Sequence, residues 1–268
     1  MNEPWSDLLQ QPAPTDHILQ LYKDHRFLAE AVAVFIGSGM RSGEGAIVVA
    51  TPDHWKALAP LLAGQGIDVS TAQSRGQLAV LNAVETLPRF MKDGMPDAAI
   101  FRKIATETIN RVRSAGFVKV RWWGEMVNLL WESGNVNAFI RLEELFTELG
   151  RAQSVSLFCS VSMDPFDIES HETGLPGAMK THSHMIPAEH YGRLEAAVDR
   201  AMAEVLGESE AKSLSTLIKM SAHPHAKIPG AQSTVLWLRK HVPQFAGEIL
   251  ARAGRYYGQR EGNNGPAG

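Results

Sequence analysis

Apolar and polar positions along the first 160 residues switch repeatedly between two periods. HILQLY (17–22) is an apolar run of strand length, after which Leu28, Val32, Phe35 and Ile36 recur at helical spacing. Gly37 and Gly39 are expected to stop that helix, since glycine is a common helix terminator. GAIVVAT (45–51) is a continuous β-branched run, the mark of a strand buried on both faces, and Asp53 is placed to cap a helix through Leu62. QLAVLNA (77–83), VKVRWWG (118–124) and SVSLFCSV (154–161) repeat the strand signal. Helical stretches lie across 85–115, interrupted near Gly94–Pro96, and across 126–151. This alternation predicts an α/β fold: an open, mostly parallel sheet flanked by helices, with right-handed crossovers.

The alternation stops near residue 164. DPFDIESHETGLPGAMKTHSHMIP carries turn residues and little periodicity, so 164–186 reads as a linker or ligand-covering segment. Helices are expected over 187–207, about 211–222, 230–242 and 243–258, with Leu194, Val198 and Met202 on one stripe and Leu236, Leu238 and Val242 in another cluster. The predicted organisation is an arm (1–16), an α/β domain (17–163), the linker, a smaller helical C-terminal region (187–258) and a disordered tail (259–268).

Composition narrows the class. The 268 residues carry a net charge of −3 and one cysteine, Cys159, which excludes an intrachain disulfide and a cysteine-rich zinc site. No run is apolar enough to span a membrane and the N-terminus lacks the order of a signal peptide, so a cytoplasmic protein with no membrane partner is expected. The charge is unevenly spread: −2 over 1–160, −7 over 161–210 and +6 over 211–268. Basic runs LWLRKH (236–241) and ARAGRYYGQR (251–260) admit a helix-turn-helix reading, but charges that offset the acidic segment or merely solvate helices are favoured, and nucleic acid is not expected as a partner.

GSGMRSGEG (37–45) looks like a nucleotide loop but follows a helix and precedes a strand, the reverse of a phosphate-cradling loop, and has no Gly-Lys-Ser/Thr. A better constellation comes from the rule that open α/β sheets bind ligands beyond the carboxyl ends of their strands. Those positions hold Tyr22, Lys23, Asp24 and His25; Thr51, Asp53 and His54; Arg121, Trp122, Trp123, Gly124 and Glu125; and Cys159 with Ser160. Together they suit a small, partly apolar molecule with one or two polar handles. Trp122 and Trp123 must face opposite sides of their strand, so at least one is a core residue. Glu125 is equally placed to serve a helix N-terminus, Cys159 to be a small buried hydrophobe, and the histidines to be structural hydrogen-bonders. His182-Ser-His184 and His223-Pro-His225 form a second group, weak candidates for a metal because no carboxylate stands at ligand spacing; no metal or other cofactor is assigned.

Several of these stretches resemble one family. HILQLYKDHRFL, SGMRSGEGAIVVATPDHW, the L-x₃-G-x-DV of Leu62–Val69, GQLAVLNA, the WGEMVNLLWESGN run (123–135), RLEELFTEL and SLFCSV are similar to the MEDS sensory domain (methanogen/methylotroph, DcmR sensory) over His17 to about Asp167. The resemblance implies a RecA/KaiC-like core without ATP machinery: Tyr22-Lys23-Asp24-His25-Arg26 stands where the Gly-Lys-Thr loop would be, and Pro52-Asp53 where the catalytic acidic pair would follow. It implies a non-enzymatic signal-transduction module that binds a small organic, C1- or hydrocarbon-related ligand and signals to a regulatory protein, a kinase or a second copy of itself. Ligand contacts are expected from Tyr22, His25, Thr51, His54, Trp123 and Glu125. Two other readings stay open: a small-molecule enzyme using Glu125 with a histidine, and a degenerate nucleotide binder holding phosphate through Lys23 and Arg26. The N-terminal arm is too short for the DNA-binding helices found in the best-known member, so direct transcriptional control is not implied.

Overall fold

The structure is a computed structural model that describes residues 5–164, 166, 174–221 and 226–259. Helix α1 (Ser6–Gln10) precedes β1 (His17–Tyr22), α2 (His25–Arg41), β2 (Gly45–Ala50), α3 (Pro52–Gly64), α4 (Val69–Ser74) and β3 (Leu78–Asn82). After α5 (Ala83–Thr86) and a 3₁₀ turn, β4 (Met91–Lys92) and β5 (Met95–Pro96) form a small antiparallel hairpin. Asp93 and Gly94 both take positive φ in its two-residue turn, which is why the helical stretch breaks there. Then come α6 (Ala98–Ser114), β6 (Val120–Gly124), α7 (Met126–Glu132), α8 (Val136–Gln153), β7 (Ser156–Ser162), α9 (Leu175–Thr181) and β8 (His184–Met185). The main sheet has the order β3-β2-β6-β7-β1-β8, and every pairing in it is parallel.

Helices cover both faces, and this explains the unbroken apolar strands. Leu19, Leu21, Ile47, Val49, Trp122, Leu157 and Cys159 face a core shared with α6, α7 and α8. Ile18, Tyr22, Ala46, Val48, Trp123 and Phe158 alternate with them and face α2 and α3. Trp122 and Trp123 thus do lie on opposite sides of their strand.

Two local expectations are corrected. Helix α2 does not stop at Gly37 or Gly39 but runs to Arg41, and the chain turns at Gly43 (φ +81°). Gly39 is there for another reason: a Cβ on it would sit 2.4 Å from Nε of Arg121. That guanidinium is buried, pairs with Glu44 at 2.6 Å, and donates to the carbonyls of Leu9, Gln10 and Phe35, each at 2.9 Å. The missing side chain is the channel through which Arg121 ties α1 to the core. The cap of α3 is Thr51, whose hydroxyl accepts the His54 N–H, with Pro52 opening the first turn; Asp53 lies inside that turn.

The segment expected as a linker, 164–186, contains α9 and the sheet's sixth strand, so the sheet continues past 163. Beyond it, α10 (Tyr191–Leu206), α11 (Glu208–Met220), α12 (Gly230–His241) and α13 (Pro243–Gly258) share a core of Leu194, Val198, Met202, Val235, Leu238 and Ile249. Acidic and basic segments do pair here: Glu204 meets Arg200 and Arg252 and accepts the Tyr256 hydroxyl. The tail expected to be disordered lies mostly outside the described residues. Among the described residues no helix is long and apolar enough to cross a membrane.

Candidate functional site

Neighbouring strands β2 and β6 send their following helices to opposite faces of the sheet: Leu58 and Leu62 of α3 pack on one core, Met126 and Val127 of α7 on the other. Such a divergence opens a crevice at the carboxyl end of the two strands. Thr51 and His54 enter it from β2, and Glu125 enters it from β6, its N–H still donating to the Val49 carbonyl at 3.1 Å. Tyr22 and His25 come from β1, across the sheet.

Glu125 is 1% exposed and occupies the N-cap position of α7, yet its carboxylate does not cap that helix. One oxygen accepts the Thr51 N–H and the other meets Nδ1 of His54. A carboxylate only accepts, so Nδ1 of His54 carries the proton in this contact. Nε2 of His54 then faces Nδ1 of His25 at 2.7 Å, with the rings 5.0 Å apart. His25 is exposed. The three groups form a hydrogen-bonded line from a buried carboxylate to the surface. The Glu125 hydrogen bond raises the pKa of His54 above its usual value, against the opposing effect of burial. The Tyr22 ring stands edge-on to both imidazoles, at 5.8 and 6.3 Å, and its hydroxyl accepts from Asn128 at 3.3 Å. Burial and the Glu125 charge push the Tyr22 phenol upward, so it remains a neutral hydroxyl. Chemically, the line can hold a polar handle at His25 and pass a proton inward through His54.

Of the six residues expected to contact ligand, Tyr22, His25, Thr51, His54 and Glu125 come together. Trp123 does not join them: it is 1% exposed, faces the α2 side, and its indole N–H donates to Ser160 at 3.1 Å. Lys23 pairs with Asp164 at 2.6 Å, and Asp24 uses its carboxylate to accept the Arg26 N–H at the start of α2, where a bound phosphate would sit. Asn128 was not expected from sequence; it sits one turn beyond Glu125, so the WGEMVN run carried the signal.

A second cluster lies inside the core. His17, Glu143, Cys159 and His182 are each 3% exposed or less, and their candidate donor atoms all lie within 4.8 Å of one another. Nε2 of His17 is 3.1 Å from Sγ of Cys159 and 3.3 Å from Oε2 of Glu143; Nε2 of His182 is 3.5 Å from the same oxygen. The outer nitrogens are committed to backbone carbonyls: Nδ1 of His17 donates to Thr181 at 3.0 Å and Nδ1 of His182 to Ala178 at 2.7 Å. Both inner nitrogens therefore present lone pairs to the centre. Burial drives His17 down to about 3 and His182 to about 4, and raises the Glu143 carboxyl and the Cys159 thiol. Sequence spacing pairs His182 with His184, but His184 turns toward Ser183 (2.9 Å) and Asp16 (3.6 Å) instead, and His223 and His225 lie outside the described residues. Glu143 has no motif to mark it; its one sequence signal is a carboxylate at a core position of α8, in step with Phe139, Leu142 and Phe146.

Two comparisons bear on these sites. The model of one family, described as the MEthanogen/methylotroph, DcmR Sensory domain (MEDS), matches residues 16–183. No curated protein matches the chain.

Proposed function

The chain belongs to the MEDS family of sensory domains, and on that premise we propose that it detects a small organic molecule, of C1 or hydrocarbon-related type, at the carboxyl edge of its sheet. The observation that carries this reading is the Glu125–His54–His25 line beside Tyr22, which leads from a buried charge to an exposed imidazole at a topological switch point. Thr51 and Glu125 fix the position of His54; His25 and Tyr22 supply the contact surface.

A sensor needs its ligand to favour one arrangement over another. The edge is connected to the C-terminal helices: Lys23 pairs with Asp164, the Asp24 N–H donates to Glu189, and the Tyr257 hydroxyl donates to the Glu189 carbonyl at 2.6 Å. A ligand that moves the β1–α2 turn would strain these contacts and so reach α10 and α13. The output partner in this reading is a regulatory protein, a kinase or a second copy of the chain, in the cytoplasm. The core is read as RecA/KaiC-like, with Asp24 filling the phosphate position, which argues against retained nucleotide binding.

A second reading is favoured by the same line of groups: His25, backed by His54 and Glu125, has the arrangement of a general base. Thermal shift and tryptophan fluorescence across C1 compounds, short organics and nucleotides, with wild type, His54→Gln and Glu125→Gln, test the sensory reading. One organic class should shift the wild type and neither variant. A flat response of the wild type to all compounds, or a response unchanged in both variants, would overturn it. Turnover of the responding compound would favour the enzyme.

A further inference from the structure

The buried cluster of His17, Glu143, Cys159 and His182 takes no part in the sheet-edge reading and asks for its own explanation. Neither oxygen of Glu143, nor Nε2 of His182, has a hydrogen-bond partner of normal geometry. Among the described residues the basic groups within ion-pair reach of Glu143 are His17 and His182, whose Nδ1 protons are spent on backbone carbonyls so that their inner nitrogens face it with lone pairs. A carboxyl group in a core whose nearest polar neighbours are the Cys159 thiol and two imidazole lone pairs is only partly compensated for its desolvation, a costly feature that a further partner would relieve.

The geometry fits a metal ion as that partner. Bonds of about 2.0–2.3 Å from a tetrahedral ion place its ligand atoms about 3.3–3.8 Å apart. Three of the six separations, 3.1, 3.3 and 3.5 Å, lie close to that range, and all six are within 4.8 Å, so a small inward movement of the side chains closes the set around an ion. The imidazoles already face the centre with their lone pairs and anchor their outer N–H groups on backbone carbonyls, the supporting arrangement of metal-bound histidines. A thiolate and a carboxylate would together neutralise a divalent charge in a site closed to water. The donor set of two nitrogens, one sulfur and one oxygen is too soft for magnesium or calcium and suits zinc or cobalt.

We propose that His17, Glu143, Cys159 and His182 bind one divalent transition-metal ion of the zinc type. Binding displaces the thiol and carboxyl protons to solvent, leaving a neutral complex. The four ligands come from β1, α8, β7 and the α9–β8 junction, so the ion would fasten the short edge strand to the core. From β8 the connection continues to the helical region, since the Met185 N–H donates to the Lys227 carbonyl at 2.9 Å. This proposal is independent of ligand binding at the sheet edge, and each can fail without the other.

Cobalt(II) is the probe. The full chain is stripped with a chelator and reloaded with Co²⁺, and metal content, visible absorption and thermal stability are read. The wild type should take up about one ion per chain, with tetrahedral d–d bands, a thiolate-to-cobalt charge-transfer band and a higher melting temperature. Cys159→Ser should lose the charge-transfer band and His182→Gln the tetrahedral spectrum, each with a native circular dichroism spectrum, while His184→Gln should match the wild type. Absence of cobalt uptake by the wild type would overturn the proposal without recourse to any variant. So would a wild-type spectrum in both Cys159→Ser and His182→Gln.

Discussion

Nδ1 of His54, in α3, donates to the carboxylate of Glu125, the residue between β6 and α7, which is sealed from solvent and spends its other oxygen on the Thr51 N–H. Because this contact raises the folded-state pKa of His54, its stabilisation is full below the unfolded value of 6.5 and is lost as pH rises through the raised folded value. Glu125→Gln should therefore cost more stability at about pH 6 than at about pH 9. Chemical denaturation at the two pH values, with an NMR titration of the His54 ring, checks this; a cost that does not fall as pH rises would contradict it.

Gly39 gives a prediction of unusual sign. In an ordinary helix interior Gly→Ala stabilises by about 1 kcal/mol. Here the added carbon would collide with Arg121, whose guanidinium is held by Glu44 and three carbonyls, so Gly39→Ala should destabilise by about 1–3 kcal/mol. Arg121→Met should cost about 3 kcal/mol or more, because it leaves Glu44 without its partner and releases α1. Urea unfolding of the single variants measures both, and a stabilised Gly39→Ala would refute the role given to this glycine.

Trp123 separates packing from recognition. It is enclosed on the α2 side and bonded to Ser160, so Trp123→Phe should destabilise by about 1–3 kcal/mol. The ligand-induced thermal shift should survive this change and vanish in His54→Gln. Loss of the shift in Trp123→Phe would return Trp123 to the contact set.

Tyr257 reports on the connection to the C-terminal helices. Tyr257→Phe removes one hydrogen bond to the Glu189 carbonyl and should cost only about 0.5–1.5 kcal/mol. Hydrogen exchange should then speed up in α13 and around residue 189 while the sheet keeps its protection. Uniform loss of protection would place Tyr257 in the shared core instead.

Most of the fold was legible because the strands are buried on both faces and so read as β-branched runs, GAIVVA above all. Residues whose roles depend on distant partners were not. Gly39 reads as a helix stop until Arg121 is seen passing it, and β8, two residues long, has no period to detect. The sheet-edge rule collected Tyr22, His25, Thr51, His54 and Glu125 without knowledge of their contacts, yet it also took in Trp123, which lies one position inside the strand end and is enclosed by α2 and bonded to Ser160. The buried cluster left a fainter trace: an acid at a core position of α8 and a histidine opening β1. Spacing alone paired His182 with a neighbour that turns away.

The most direct test of the account is a titration of the protein with the C1 and short organic panel, followed by NMR of selectively labelled histidine side chains. The account predicts that one class of compound moves the His25 and His54 signals in a saturable way and leaves the buried His17 and His182 signals in place. Saturable binding that leaves His25 and His54 unmoved would contradict it.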